Sequence, residues 1–221
     1  TIFSFARTML LFASQPTFEF RGFFDQTSTP CNLVFFRDIH RLSYHLTPGE
    51  SRGGLAFYEE EVRHYMDALG GKYHIALGDS SGGSAALYFG SRCGMDKVIA
   101  LSPAFPLKTW FNPWIQCQYL FNLKRMITDW PAYREMAVVV FSNPVYLFDL
   151  VMRIGIRGIW DPMSAYRTAE KRPDATIFYG EYSPGDSRNA HRIADLPEVK
   201  LVPLPTSRHS IGVFMARRGL L

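Results

Sequence analysis

The chain predicts an α/β domain, a mostly parallel sheet flanked by helices on both faces. Short apolar runs alternate with helical patterns through most of its 221 residues. One run, Tyr73 to Leu77, passes straight into Gly78-Asp79-Ser80-Ser81-Gly82, a Gly-x-Ser-x-Gly turn with small, helix-compatible residues behind it. A histidine, His209, follows the last strand-like run. A chain of this length buries one sizeable core, and 47% hydrophobic residues argue for a folded chain, so one domain over 1–221 is expected.

In order, Thr8 to Ala13 reads as a strand running into Ser14-Gln15-Pro16. Cys31 to Asp38 reads as a buried strand ending in a charge pair, where Asp38 orients a loop or neutralises Arg37. His40 and His45 follow in the loop, placed to line a pocket rim, and His40 is a candidate substrate contact. Ser51 to Leu69 is an amphipathic helix: Leu55, Tyr58, Val62, Tyr65, Met66 and Leu69 recur at three and four, and Gly70-Gly71 ends it. The elbow comes next, with His74 packed in its strand. Glycine is expected at 78 and 82 because a Cβ at either place would strike the neighbouring strand or helix. Lys97 to Pro103 is the next core strand.

Roughly seventy residues then intervene before the strand at Ala175, far more than a usual connection. This excursion, 104–172, is expected to be a helical lid or cap above the serine. It holds all four tryptophans, Trp110, Trp114, Trp130 and Trp160, with many other aromatics. Trp110 and Trp114, one turn apart, are the candidate substrate contacts. The same aromatics also suit a small core of packed helices or a dimer contact.

Ala175 to Gly180 reads as a buried strand, Glu181 to Asp186 as its loop, Ser187 to Ala194 as a helix and Val199 to Leu204 as the last strand. The loop Pro205 to Ser210 carries His209 where it can reach the elbow serine. His64 and His191 fall on helices instead. Two carboxylates compete to orient the imidazole. Glu181 is nearer the strand end, whereas Asp186 is favoured and would also suit a helix cap.

This order of serine, acid and histidine, with its elbow, resembles the α/β-hydrolase superfamily over nearly the whole chain. The resemblance implies Ser80 as nucleophile, His209 as general base and then acid, and Asp186 as the orienting carboxylate. It implies an oxyanion hole made by the Ser81 N–H and a second donor after an earlier strand, placed at Ser14 or Gln15, each donor lowering the barrier by about 3 kcal/mol. No His-Gly or Gly-Gly pair marks that loop.

Net charge is only +4, with basic residues scattered among acids, so no nucleic-acid footprint is expected. The three cysteines show neither metal spacing nor an even count, which fits reduced thiols in a cytoplasmic protein. The Met9 to Phe12 run is too short to span a membrane, and Ala137 to Trp160 is interrupted by polar residues, so no membrane anchor is expected. The expected function is a serine hydrolase that cleaves an ester or thioester of an apolar or aryl acyl group, carried on a small molecule or a carrier protein, with no metal or organic cofactor. An acyltransferase or thioesterase-like cyclase would use the same groups. A non-catalytic binding protein on the same fold is the third reading.

Overall fold

The computed structural model describes residues 1–7, 18, 20–26, 30–104, 123–155 and 158–220. Strands β1 (Ile2–Phe5), β2 (Leu33–Phe36), β3 (Ile75–Asp79), β4 (Lys97–Leu101), β5 (Asp174–Gly180) and β6 (Val199–Leu204) form one sheet. Its order is β2-β1-β3-β4-β5-β6, and every pairing is parallel. The helices are α1 (Arg21–Phe24), α2 (Gly54–Leu69), α3 (Ser81–Arg92), α4 (Leu123–Thr128), α5 (Trp130–Ile154), α6 (Pro162–Thr168), α7 (Pro184–His191) and α8 (Ile211–Arg217).

Alternation along each strand divides the apolar residues between two faces. Phe3, Phe5, Ala76, Val98, Ala100, Ala175 and Ile177 face a core closed by Tyr58 and Val62 of α2, Leu87 and Phe89 of α3, and Met163 and Tyr166 of α6. Leu77, Leu101 and Leu204 face the other way, against Ile211 and Met215 of α8 and the rings of Phe20 and Phe24. Aromatic rings fill the first core: Phe5 stacks on Phe36 at 5.4 Å and on Phe89 at 5.2 Å, and Tyr44 meets Tyr58 edge-on at 4.9 Å. Each such ring contributes on the order of 2–3 kcal/mol over leaving it in water.

Thr8 to Ala13 lies outside the described residues, and the strand that pairs with β3 on that side is Ile2–Phe5. Its Phe3 and Phe5 alternate with Ile2 and Ser4, a two-residue period that a four-residue strand shows only twice. The excursion is helical where it is described, but its last part belongs to the main core. Trp160 packs edge-on against Tyr88 at 4.8 Å, and the fully buried Tyr166 donates its O–H to the Pro173 carbonyl at 2.6 Å. Helix α6 starts cleanly there: Asp161 caps it, accepting from the N–H groups of Met163 and Ser164, with Pro162 in the first turn. Among the described residues, no helix is long and apolar enough to cross a membrane.

Candidate active site

Ser80 stands between β3 and α3 with φ 55° and ψ −119°, a conformation that costs a non-glycine residue on the order of 1–3 kcal/mol. Backbone bonds hold it there. Its N–H donates to the Leu101 carbonyl at 2.8 Å, and its own carbonyl accepts from Ser84 and Ala104, each at 3.1 Å. The flanking glycines are required by contact. A Cβ on Gly78 would lie 2.1 Å from the Gly82 carbonyl oxygen, and one on Gly82 would lie 2.2 Å from that of Phe5. Strand and helix therefore close to a distance that only glycine permits, and the serine is lifted clear of the sheet at the N-terminus of α3.

The histidine loop comes down beside it. After β6, the Thr206 Oγ1 accepts from the Arg208 N–H at 3.1 Å, and the His209 carbonyl accepts from the Ile211 N–H at 2.8 Å. His209 Nε2 then lies 2.8 Å from Ser80 Oγ, and His209 Nδ1 lies 2.8 Å from Asp186 Oδ1. With the proton on Nδ1, held by Asp186, Nε2 accepts from the serine hydroxyl. The Asp186 side chain is 6% exposed and that of His209 17%. Helix α7 begins at Pro184, earlier than the sequence pattern indicates, so Asp186 sits in its first turn instead of capping it. The positive end of the helix dipole favours a carboxylate there. Glu181 is exposed, with its backbone N–H bonded to the Leu204 carbonyl.

Ser14 and Gln15 lie outside the described residues, as do Trp110 and Trp114. Ser81 is the first residue of α3. The backbone nitrogen of Arg7, two residues past β1, comes within 3.1 Å of where a Cβ on Gly82 would stand. His40 is tied into its own turn: its Nε2 lies 3.1 Å from the Pro48 carbonyl, its Nδ1 3.6 Å from Glu50, and its N–H donates to Asp38 at 3.1 Å. Asp38 orients this loop, as expected, also accepting from the Tyr44 N–H at 3.0 Å. Burial pushes its carboxyl up from the usual range, while those N–H groups pull it down.

No protein-family model matches the chain, and no curated protein sequence does. Solved structures do. MenH from S. aureus superposes with a TM-score of 0.60 at 12% identity, over 99% of this chain and 89% of that one. The capsule O-acetyltransferase of Neisseria meningitidis serogroup A gives 0.59 at 15%, over 99% and 83%. E-2-(Acetamidomethylene)succinate hydrolase gives 0.56 at 16%, over 99% and 87%. The chain has the α/β-hydrolase fold. At these identities the likeness concerns architecture, and this fold hosts many chemistries.

Within this α/β-hydrolase fold, five long-range contacts carried no local sequence signal. Arg7 Nη1 donates to Ser210 Oγ at 3.1 Å and lies 3.8 Å from Asp79 Oδ2. Ser207, in the histidine loop, donates to the carboxylate of Asp129 just ahead of α5. Near the far end of α5, the Tyr146 hydroxyl meets Ser43 Oγ at 2.6 Å, and Arg52 Nε donates to the Arg153 carbonyl at 2.9 Å. Helix α5 thus runs from the loop after β6 to the loop after β2, the strands at opposite edges of the sheet. Its 25 residues measure roughly 37 Å, against roughly 24 Å for a six-stranded sheet.

Proposed function

We propose that this protein is a serine hydrolase that cleaves an ester or thioester of an apolar or aryl acyl group through an acyl-enzyme on Ser80. The observation that carries this is the Ser80–His209–Asp186 chain of hydrogen bonds, both at 2.8 Å, ending on a serine held at φ 55°. Strain and buried partners are arranged here to expose one hydroxyl to one imidazole. A plain strand–helix turn gives no reason for either.

In the reaction, Ser80 Oγ attacks the acyl carbonyl as His209 Nε2 takes its proton. Asp186 holds the ring in the tautomer that allows this and stabilises the imidazolium that forms. The Ser81 N–H and the backbone N–H at Arg7, on either side of the elbow, are the proposed donors to the tetrahedral oxyanion. Collapse expels the alcohol or thiol, which takes the proton from His209. Water then repeats the sequence on the acyl-serine and releases the acid. Helices α4 and α5 of the 104–172 excursion act as the lid: α5 crosses the strand ends that carry Ser80 and His209, and an apolar cover excludes bulk water.

The test is labelling with a fluorophosphonate, followed by peptide mapping. An adduct on Ser80, lost in Ser80→Ala and slowed in His209→Ala, supports the reading. Absence of an adduct on folded wild type overturns it. Turnover of nitrophenyl esters of rising acyl length, with and without an added alcohol, then separates hydrolysis from acyl transfer.

A further inference from the structure

We propose that Ser84 is a positioning residue that aims the Ser81 N–H at the oxyanion, by locking the first residue of the 104–172 excursion against the carbonyl of Ser80. The proposal rests on the serine-hydrolase reading above. The turn after β4 brackets the nucleophile: Leu101 accepts the Ser80 N–H at 2.8 Å, and Ala104 donates its N–H to the Ser80 carbonyl at 3.1 Å. Between them Ser102 holds φ 39° and donates its N–H to the Phe178 carbonyl at 2.8 Å, which turns the chain so that both contacts face Ser80. Ser84 closes the bracket. Its backbone N–H donates to the Ser80 carbonyl at 3.1 Å, and its hydroxyl donates to the Ala104 carbonyl.

A buried serine inside a helix ordinarily donates to the carbonyl three or four residues back. Ser91, in the same helix, does so, to the Tyr88 carbonyl at 2.8 Å. Ser84, which is buried, stands 3.4 Å from the Ser80 carbonyl but gives its one proton to the closer acceptor, Ala104, 20 residues further along the chain. Both backbone polar groups of Ala104 are thereby engaged at the elbow. The consequence runs through one peptide plane. The Ser80 carbonyl and the Ser81 N–H belong to the same trans peptide and point in opposite directions, so donors that fix the one fix the other. Donation to the carbonyl also polarises the unit and strengthens its N–H as a donor. The plane sets that direction whatever else Ser81 touches. One well-aimed oxyanion donor is worth on the order of 10²–10³-fold in rate, and a tilted one forfeits part of it.

The test compares Ser84→Ala with Ser91→Ala, which removes a hydroxyl from the same helix away from the elbow. Active sites are counted by fluorophosphonate titration; turnover of nitrophenyl butyrate and inhibition by an alkyl trifluoromethyl ketone are then measured. The ketone carbon bonds to Ser80 Oγ as His209 takes its proton, which leaves the negative charge on the ketone oxygen, facing the Ser81 N–H. In Ser84→Ala, kcat per titrated site and affinity for the ketone each fall about tenfold, while KM stays within about twofold. The acid limb of the pH profile, which reports His209, does not move. Ser84→Thr keeps the hydroxyl and recovers most of both losses. Ser84→Cys, a weak donor, loses part of each and stands in should Ser84→Ala not fold. Ser91→Ala loses thermal stability but neither rate nor affinity. Parallel losses of kcat and ketone affinity at unchanged KM support the proposal, because a merely structural role moves the number of titrated sites and not the rate of each. Ser84→Ala that keeps both within about twofold of wild type, or loses rate only through KM, overturns it. A wild type that neither titrates nor turns over removes the serine-hydrolase reading itself, which is a different result.

Discussion

The two flanks of Ser80 are built in opposite ways. On the β5–β6 side, Asp186 reaches His209 from the first turn of α7 and His209 reaches Ser80 from the loop after β6, and none of the described non-glycine residues between β5 and His209 has a positive φ. On the β2 side, the loop packs three non-glycine residues into the left-handed region within four positions: Arg41 at φ 57°, Ser43 at 51° and Tyr44 at 64°. Asp38, buried beneath it, holds this shape by accepting backbone N–H groups, and Tyr44 donates its hydroxyl to the Ala6 carbonyl at 2.8 Å. The reactive flank is therefore cheap in backbone strain, whereas the opposite wall is held in shape against strain. Substitutions on the first flank should remove activity and spare stability; those on the second should do the reverse.

The largest effect expected is on the reactive flank. Ser80→Ala and Asp186→Asn each lower ester turnover by on the order of 10³–10⁴-fold. Their melting temperatures stay within about 2 °C of wild type. A melting loss much larger than this, in a thermal scan, would break the contrast.

On the other wall, Asp38→Ala leaves two backbone N–H groups without their acceptor and should cost about 4 kcal/mol in urea unfolding. Turnover per folded molecule should change less than about tenfold.

His45 sharpens the contrast through pH. Burial lowers its pKa to about 4, with Nδ1 2.5 Å from the Leu42 carbonyl and Nε2 accepting from the Trp160 N–H at 3.3 Å. The unfolded chain takes up this proton first, near pH 6.5. Stability is therefore complete above that pH and falls as pH drops towards 4, by about 3 kcal/mol in all. Unfolding curves between pH 7 and 4 measure this, and His45→Gln should remove most of the slope.

The smallest effect is a gain. Arg41→Gly relieves a left-handed residue and should raise stability by up to about 1 kcal/mol, seen as a shift of the urea midpoint. No change in labelling of Ser80 accompanies it.

The same division decides how much of the molecule was legible. The elbow and the address of His209 are local patterns set by chain order, and they could be read directly. The β1 strand could not, because Ile2–Phe5 offers one short alternation beside the more apolar run Met9 to Phe12. Choosing between Asp186 and Glu181 depended on where α7 begins, and Pro184 starts it a turn early. Arg7–Asp79 and Asp129–Ser207 are pairings between distant residues, fixed by sheet order and by the path of α5, for which spacing leaves no trace. Trp160 shows a further difficulty: an aromatic in a long excursion reads the same whether it covers a site or, as here, packs against Tyr88 in the main core.

The two ends of α5 are seated unequally. At one end Leu150 is fully buried with Leu42 and Leu46, reinforced by the bonds at Tyr146 and Arg153. At the other, Trp130 is 55% exposed, and Asp129, just ahead of the helix, accepts from the Ser207 hydroxyl of the histidine loop. Mechanically this is a beam built in over β2 and pinned near β6. A beam held so bends most along its span and least at its supports, so the histidine loop that receives the pin is steadied by the helix and not shaken by it.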